Sequence, residues 1–162
     1  MTGIFYGSTT GNTETAANEI ASILGVDSAD VHNVGDSSAD DTDAYDLLLL
    51  GSASYGEGDL QDDWYDFLDA LKEKDLSGKK VGLFGCGDSG SNPDTFCGAL
   101  GKIYDGLQDT GCTFIGAYEP KDYDVTDSDV CRDGKFVGLA LDGADSDDKN
   151  ADRLKAWCEL LK

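Results

Sequence analysis

An α/β domain built on a doubly wound parallel sheet is the fold class this chain predicts, on three observations. Short apolar runs alternate with helix-period segments, the order that a βαβ protein requires. The runs at the first, third and fourth strand positions are nearly all apolar, as central parallel strands covered on both faces should be. The first run also empties into a glycine-containing, hydroxyl-rich turn, and a helix-like segment follows at once.

Taken in order, the first strand is Thr2 to Tyr6 and the first helix Glu14 to Leu24, with the hydroxyl turn between them. Ala29 to Val34 and Asp46 to Gly51 give the second and third strands, and Asp62 to Lys72 carries the second helical pattern. Lys80 to Gly85 is the fourth strand, followed by a helix over Asp94 to Gln108 and a fifth strand over Thr113 to Ala117. Tyr118 to Lys135 places Asp122, Asp124, Asp127, Asp129 and Asp133 among turn formers and reads as an inserted loop interrupting the last strand. Phe136 to Leu141 is a further strand and Asn150 to Leu161 the last helix. At 162 residues and 40% hydrophobic content, with no long linker, the chain predicts one domain over 1–162.

Ligands of such sheets sit at the carboxyl ends of the strands. Three segments fall there. The turn Ser8-Thr9-Thr10-Gly11-Asn12-Thr13 offers four hydroxyls and the N–H groups that open a helix, which together suit a phosphate. No Lys or Arg occurs before Lys72, so a triphosphate loop with its lysine is excluded and a single monoester fits better. An ordinary helix cap is the competing reading, but a cap needs one such hydroxyl. The second segment, Ser52-Ala53-Ser54-Tyr55-Gly56-Glu57-Gly58-Asp59-Leu60, sets an aromatic beside a glycine-bracketed acid, so Tyr55 can stack on a planar ligand; an exposed tyrosine on a turn is the plainer alternative. The third runs from Cys86 to Phe96. Its Gly85-x-Gly87-x-x-Gly90 matches a dinucleotide fingerprint but follows the wrong strand, and Asn92-Pro93 delays the helix. Its Gly87-Asp88-Ser89-Gly90 matches a protease segment that belongs to all-β folds.

Thirty-three acidic against twelve basic residues give a formal charge of −21. Nucleic acid and anionic membrane surfaces should repel such a chain, and its macromolecular partners should be basic; solvation in a saline host would produce the same bias. No run approaches a membrane span and no leader precedes the first strand, so a cytoplasmic location is expected. Five widely spaced cysteines and one histidine, His32, argue against a metal centre. The thiols read as free and reduced, and His32 as structural. The acidic loop lacks the glycine and terminal glutamate of a calcium-binding loop.

With these residues the chain resembles the flavodoxin family, and specifically its long-chain subgroup. Ser8-Thr9-Thr10-Gly11-Asn12-Thr13 looks like the family's FMN phosphate loop and Ser54-Tyr55-Gly56-Glu57-Gly58 like its first flavin loop. Gly85-Cys86-Gly87-Asp88 with Phe96-Cys97-Gly98 looks like the second flavin loop. Gly134 to Asp142 resembles the strand that resumes after the long-chain insertion. Where many relatives cover the outer flavin face with a tyrosine, Asn92 stands here. The resemblance implies strand order 2-1-3-4-5, non-covalent FMN, and a low-potential one-electron carrier, not an enzyme. Its partners would be a basic-surfaced reductase as donor and an acceptor enzyme, and it would act as a monomer. It places the phosphate on residues 8 to 13, the ribityl chain on Ser54 and Asp142, and the ring against Tyr55 to Gly58 and Gly87, Asp88 and Cys97, with Ser52, Ala53, Cys86, Asn92 and Phe96 alongside. An FMN module of a diflavin reductase would share the second loop, but the insertion and the helical end at Lys162 favour a free carrier. A response-regulator-like signalling domain would need an acidic pair where Gly7-Ser8 stands.

Overall fold

β1 (Thr2–Gly7) and β3 (Leu47–Tyr55) are the strands on which the sheet is built. Successive side chains of a strand point to opposite faces, and here both faces are apolar. Ile4, Tyr6 and Leu49 pack in one buried cluster with Ala16, Ala17 and Ile20 of α1 (Asn12–Leu24) and with Leu154, Trp157 and Cys158 of α4 (Asp147–Leu161). Phe5, Leu48 and Leu50 pack in the other with Trp64, Phe67 and Leu68 of α2 (Trp64–Leu71) and with Ala99, Leu100 and Ile103 of α3 (Gly98–Gly106). The two clusters are the two covered faces of a doubly wound sheet. This computed structural model describes residues 2–7, 11–55, 59–60, 62–87, 97–118, 130–132, 135–142 and 147–161.

Parallel pairing runs in the order β2 (Val31–Asn33), β1, β3, β5 (Lys80–Gly87), β6 (Thr113–Ile115). β6 takes only Lys80 to Gly82 of β5, while β9 (Leu139–Asp142) takes Phe84 to Gly87. The outer strand is therefore made of two pieces, and counting them as one gives the expected order 2-1-3-4-5. Between the pieces, β7 (Cys131–Arg132) and β8 (Lys135–Phe136) pair antiparallel, and Phe136 also bridges Tyr118. The expected strand Phe136 to Leu141 is thus two strands with different partners. Gly138 separates them where a Cβ would meet the Leu83 carbonyl oxygen, so the chain re-enters the sheet through a residue without a side chain.

Other boundaries move for local reasons. The third strand runs on to Tyr55 because Ser54 and Tyr55 pair antiparallel with β4 (Asp59–Leu60). The first piece of the outer strand stops at Ile115, since Gly116 turns left-handed at φ 76°. The second strand keeps only Val31–Asn33 because short 3₁₀ turns flank it, one of them held by the Gly35 N–H donating to Asn33 Oδ1 at 2.9 Å. α4 starts a turn earlier than the apolar period shows. α2 is shorter than expected, and of the third helical pattern, residues 94–96 lie outside the described residues. His32 is structural: it stacks on Phe5 at 4.7 Å and lies 2.8 Å from the Tyr45 hydroxyl. Because that hydroxyl donates to Asp30 Oδ1 at 2.9 Å, His32 Nε2 must be the donor.

Two indoles tie helices to the sheet. Trp157 Nε1 donates to the Gly116 carbonyl at 2.7 Å, and Trp64 Nε1 donates to the Gly51 carbonyl at 2.6 Å. Gly51 is also covered by Phe84, its register partner on β5, whose ring lies where a Cβ would project. Gly51→Ala should therefore destabilise the protein by about 1–3 kcal/mol through overpacking. The expected signature is a lower denaturation midpoint with an unchanged m-value; parental stability would mean that Phe84 has another rotamer open to it.

Candidate mononucleotide site at the strand ends

Parallel register sets the carboxyl ends of four strands side by side. Gly7 lies opposite Ser52, Ser52 opposite Gly85, Ala53 opposite Cys86, and Gly87 opposite Asp142. With strands spaced about 4.8 Å apart, these ends make a rim roughly 15 Å long.

The start of α1 closes one end of that rim. Gly11 occupies the N-cap in left-handed geometry, φ 94° and ψ −8°, and among the described residues no side-chain cap hydrogen bond is made there. Thr15 Oγ1 donates back to the Gly11 carbonyl at 2.9 Å, which fixes the turn from the other side. Thr13, the second residue of α1, is fully buried, and its hydroxyl makes no strong hydrogen bond among the described residues, only a weak contact with the Cys86 thiol. A buried hydroxyl with so weak a partner is free to donate to a stronger acceptor, an interaction of about 1–3 kcal/mol. A phosphate oxygen at a helix N-terminus fits such a donor.

Thiols line the middle of the rim. Burial pushes the Cys86 thiol up to about 11, the adjacent Thr13 hydroxyl acting in the opposite sense. Cys97 directly precedes α3 at φ 52° and ψ 30°, the one non-glycine residue with positive φ among the described residues. Burial, then the neighbouring Cys86 and Asp142, hold its thiol well above the ordinary range. Both thiols stay protonated at neutral pH and act as small apolar lining, not as nucleophiles. The left-handed backbone of Cys97 costs about 1–2 kcal/mol, strain of the kind that gathers at ligand clamps.

Asp142 ends β9 and is only 1% exposed. It borders a cavity of about 430 Å³ between α1 and α4, which Asn12, Cys86, Gly87 and Asn150 also line. Its backbone N–H donates to Asn150 Oδ1 at 3.0 Å, and Asn150 Nδ2 donates to its carbonyl at 2.8 Å.

Of the residues that the sequence singles out, Gly11, Asn12, Thr13, Ser52, Ala53, Cys86, Gly87, Cys97 and Asp142 come to this rim. Ser52 is buried with its hydroxyl turned to the Ala53 carbonyl at 2.8 Å, so that group shapes the strand end. Ser54 and Tyr55 are placed by their backbone in β3, opposite Leu60 and Asp59. Ser8, Thr9, Thr10, Gly56, Glu57, Gly58, Asp88, Asn92 and Phe96 lie outside the described residues. Sequence reasoning missed Trp64, Asn150 and Arg153. Arg153 had a signal: it stands four residues before Trp157, on the stripe of α4 that faces the core.

A doubly wound parallel sheet with a helix start, two buried thiols and a buried carboxylate at the carboxyl ends of its strands defines an α/β domain of the class that takes ligands at that edge. The chain belongs to the flavodoxin family: the model described as Flavodoxin matches residues 4–157. It is 44% identical over 162 residues to Flavodoxin 1 of Escherichia coli strain K12, covering 99% of this chain and 92% of that protein. It is 40% identical to Flavodoxin 1 of Azotobacter vinelandii, over 99% of this chain and 94% of the relative. Among solved structures, the Fusobacterium nucleatum flavodoxin bound to flavin mononucleotide superposes with a TM-score of 0.89 at 29% identity, covering 99% of this chain and 95% of that one. Flavodoxins are electron-transfer proteins, not enzymes, and no helix among the described residues is long and apolar enough to cross a membrane.

The buried thiols carry a pH signature. Folded Cys86 keeps its proton up to about 11 against an ordinary 9.0, so the stability it contributes is complete below pH 9.0 and is lost as pH rises through about 11. Denaturation of the parent and of Cys86→Ala at both ends of that window should show a steeper alkaline loss in the parent. Parallel losses would contradict a buried, proton-holding thiol.

Proposed function

We propose that this protein shuttles single electrons between redox enzymes on non-covalently bound FMN, at low potential and without bond-making chemistry of its own. The observation that carries this reading is the buried Thr13 hydroxyl, paired only weakly with the Cys86 thiol, at the start of α1 in a chain of this family. FMN supplies the electron chemistry when bound, and the chain supplies position and electrostatics.

Residues Ser8 to Thr13 hold the phosphate with hydroxyls and N–H groups. Ser54 and Asp142 hold the ribityl chain. Tyr55 to Gly58 flank the ring on one side, and Gly87, Asp88 and Cys97 on the other. The protonated thiols of Cys86 and Cys97 keep water from the inner rim without adding charge. Carboxylates near the rim, buried Asp142 among them, disfavour further negative charge there and so favour a low potential.

The reading takes residues 1–162 as one monomeric, cytoplasmic domain with basic-surfaced partners, a reductase as donor and an acceptor enzyme. Docking would use the acidic start of α2: Asp62, Asp63 and Asp66 are exposed beside β4, together with Tyr65 at 45% exposure.

Two measurements follow from this assignment. FMN should bind far more tightly than riboflavin, because the phosphate satisfies donors that riboflavin cannot reach. Thr13→Val should leave the FMN-free protein as stable as the parent, or more so, while costing on the order of 1–3 kcal/mol of FMN affinity. Equal affinity for the two flavins would remove the phosphate site. In stopped flow, electron transfer with a basic reductase should slow as salt rises through physiological strength, where the screening length is about 8 Å; a flat response would leave the acidity as solvation alone.

A further inference from the structure

We propose that Asn150 is a positioning residue for the cofactor site, with Arg153 orienting it: together they fix the backbone of Asp142 and so aim its carboxylate at the ribityl chain. This rests on Asp142 being a ligand of FMN.

Asn150 meets Asp142 at two points. The Asp142 N–H donates to its Oδ1 at 3.0 Å, and its Nδ2 donates to the Asp142 carbonyl at 2.8 Å. That is the reciprocal pairing a neighbouring strand would offer, supplied by a side chain. On its other side Asp142 is in register with Gly87 of β5, so the last residue of β9 is held between a strand and an amide.

The amide has only one workable orientation. Arg153 Nη1 donates to the same Oδ1 at 3.0 Å, and a guanidinium carries donors only. Flipping Asn150 would set its NH₂ against two donors and its oxygen against a carbonyl. Arg153 is 1% exposed and stands three residues after Asn150 on α4, so the two move as one unit with that helix. Leu154 and Trp157 seat the same helix in the core that contains Leu139 of β9. The backbone from which the Asp142 side chain projects is thereby held by a packed helix, a more rigid support than the end of a strand alone.

A plain structural clip between β9 and α4 would show the same hydrogen bonds, so the test is one of coupling. FMN dissociation constants are measured by diluting the holoprotein and following the recovery of flavin fluorescence in the parent, Asn150→Ala, Asp142→Ala and the double variant. Asn150→Ala is expected to weaken FMN binding about tenfold, and to add little once Asp142 is already alanine. Amide exchange on the holoprotein should show the Asp142 N–H exchanging faster in Asn150→Ala while the Leu139 to Leu141 amides keep their protection. Parental affinity in Asn150→Ala alongside a loss in Asp142→Ala would overturn the positioning role and leave the ribityl assignment standing. Losses that simply add would overturn it too, since Asn150 would then act independently of Asp142. Unchanged affinity in Asp142→Ala would remove the ribityl assignment and this proposal with it. If Asn150→Ala does not fold, Asn150→Ser, which keeps a short polar group, should give a smaller loss with the same dependence on Asp142.

Discussion

Holding a phosphate dianion mainly on neutral donors is the constraint that the proposed function places on this protein. The chain has no Lys or Arg before Lys72 and carries a formal charge of −21, so neither the hydroxyl turn nor α1 itself contributes a cation. What remains is the partial charge of the helix terminus and a set of neutral donors, which are strong only where water is excluded and their positions are fixed. Gly11 supplies the turn, Thr13 supplies a hydroxyl already removed from solvent, and Ala16, Ala17 and Ile20 seat the helix on the sheet. Weak donors demand a rigid frame.

The frame is the parallel register of the strand ends. Because β1, β3, β5 and β9 are paired in register, Gly7, Ser52, Cys86 and Asp142 come to neighbouring positions from distant parts of the sequence. Both faces of that sheet are packed, one by α1 and α4 and the other by α2 and α3, so no strand can slip without moving a buried set to the wrong side. Trp64 and Trp157 add directional bonds where β3 approaches the rim and where the outer strand breaks. Splitting the outer strand lets an excursion of the chain emerge from the sheet without disturbing the half of β5 that carries the site.

The features readable in the sequence were those with a local cause. Apolar runs such as Leu47 to Leu50 announce a doubly covered strand. The elements that were misplaced are those set by tertiary contact. β3 runs past Gly51 because β4 returns to pair with it, and Phe136 to Leu141 divides because Gly138 meets the Leu83 carbonyl. Ser52, read as part of the site by its position, spends its hydroxyl on the Ala53 carbonyl. Asn150 escaped notice because nothing in a polar helix start says that its amide reaches back eight residues to a strand end.

The central claim, that neutral donors at the start of α1 hold a phosphate dianion, is tested most directly by the phosphorus NMR shift of bound FMN as a function of pH. The dianion of a free monoester takes up a proton at about pH 6. N–H and hydroxyl donors stabilise the dianion, so the bound phosphate should show no titration through that region while the protein remains folded. A bound phosphate that titrates as it does in solution would contradict the account, because the group would then lie in water and not in the donor turn of α1.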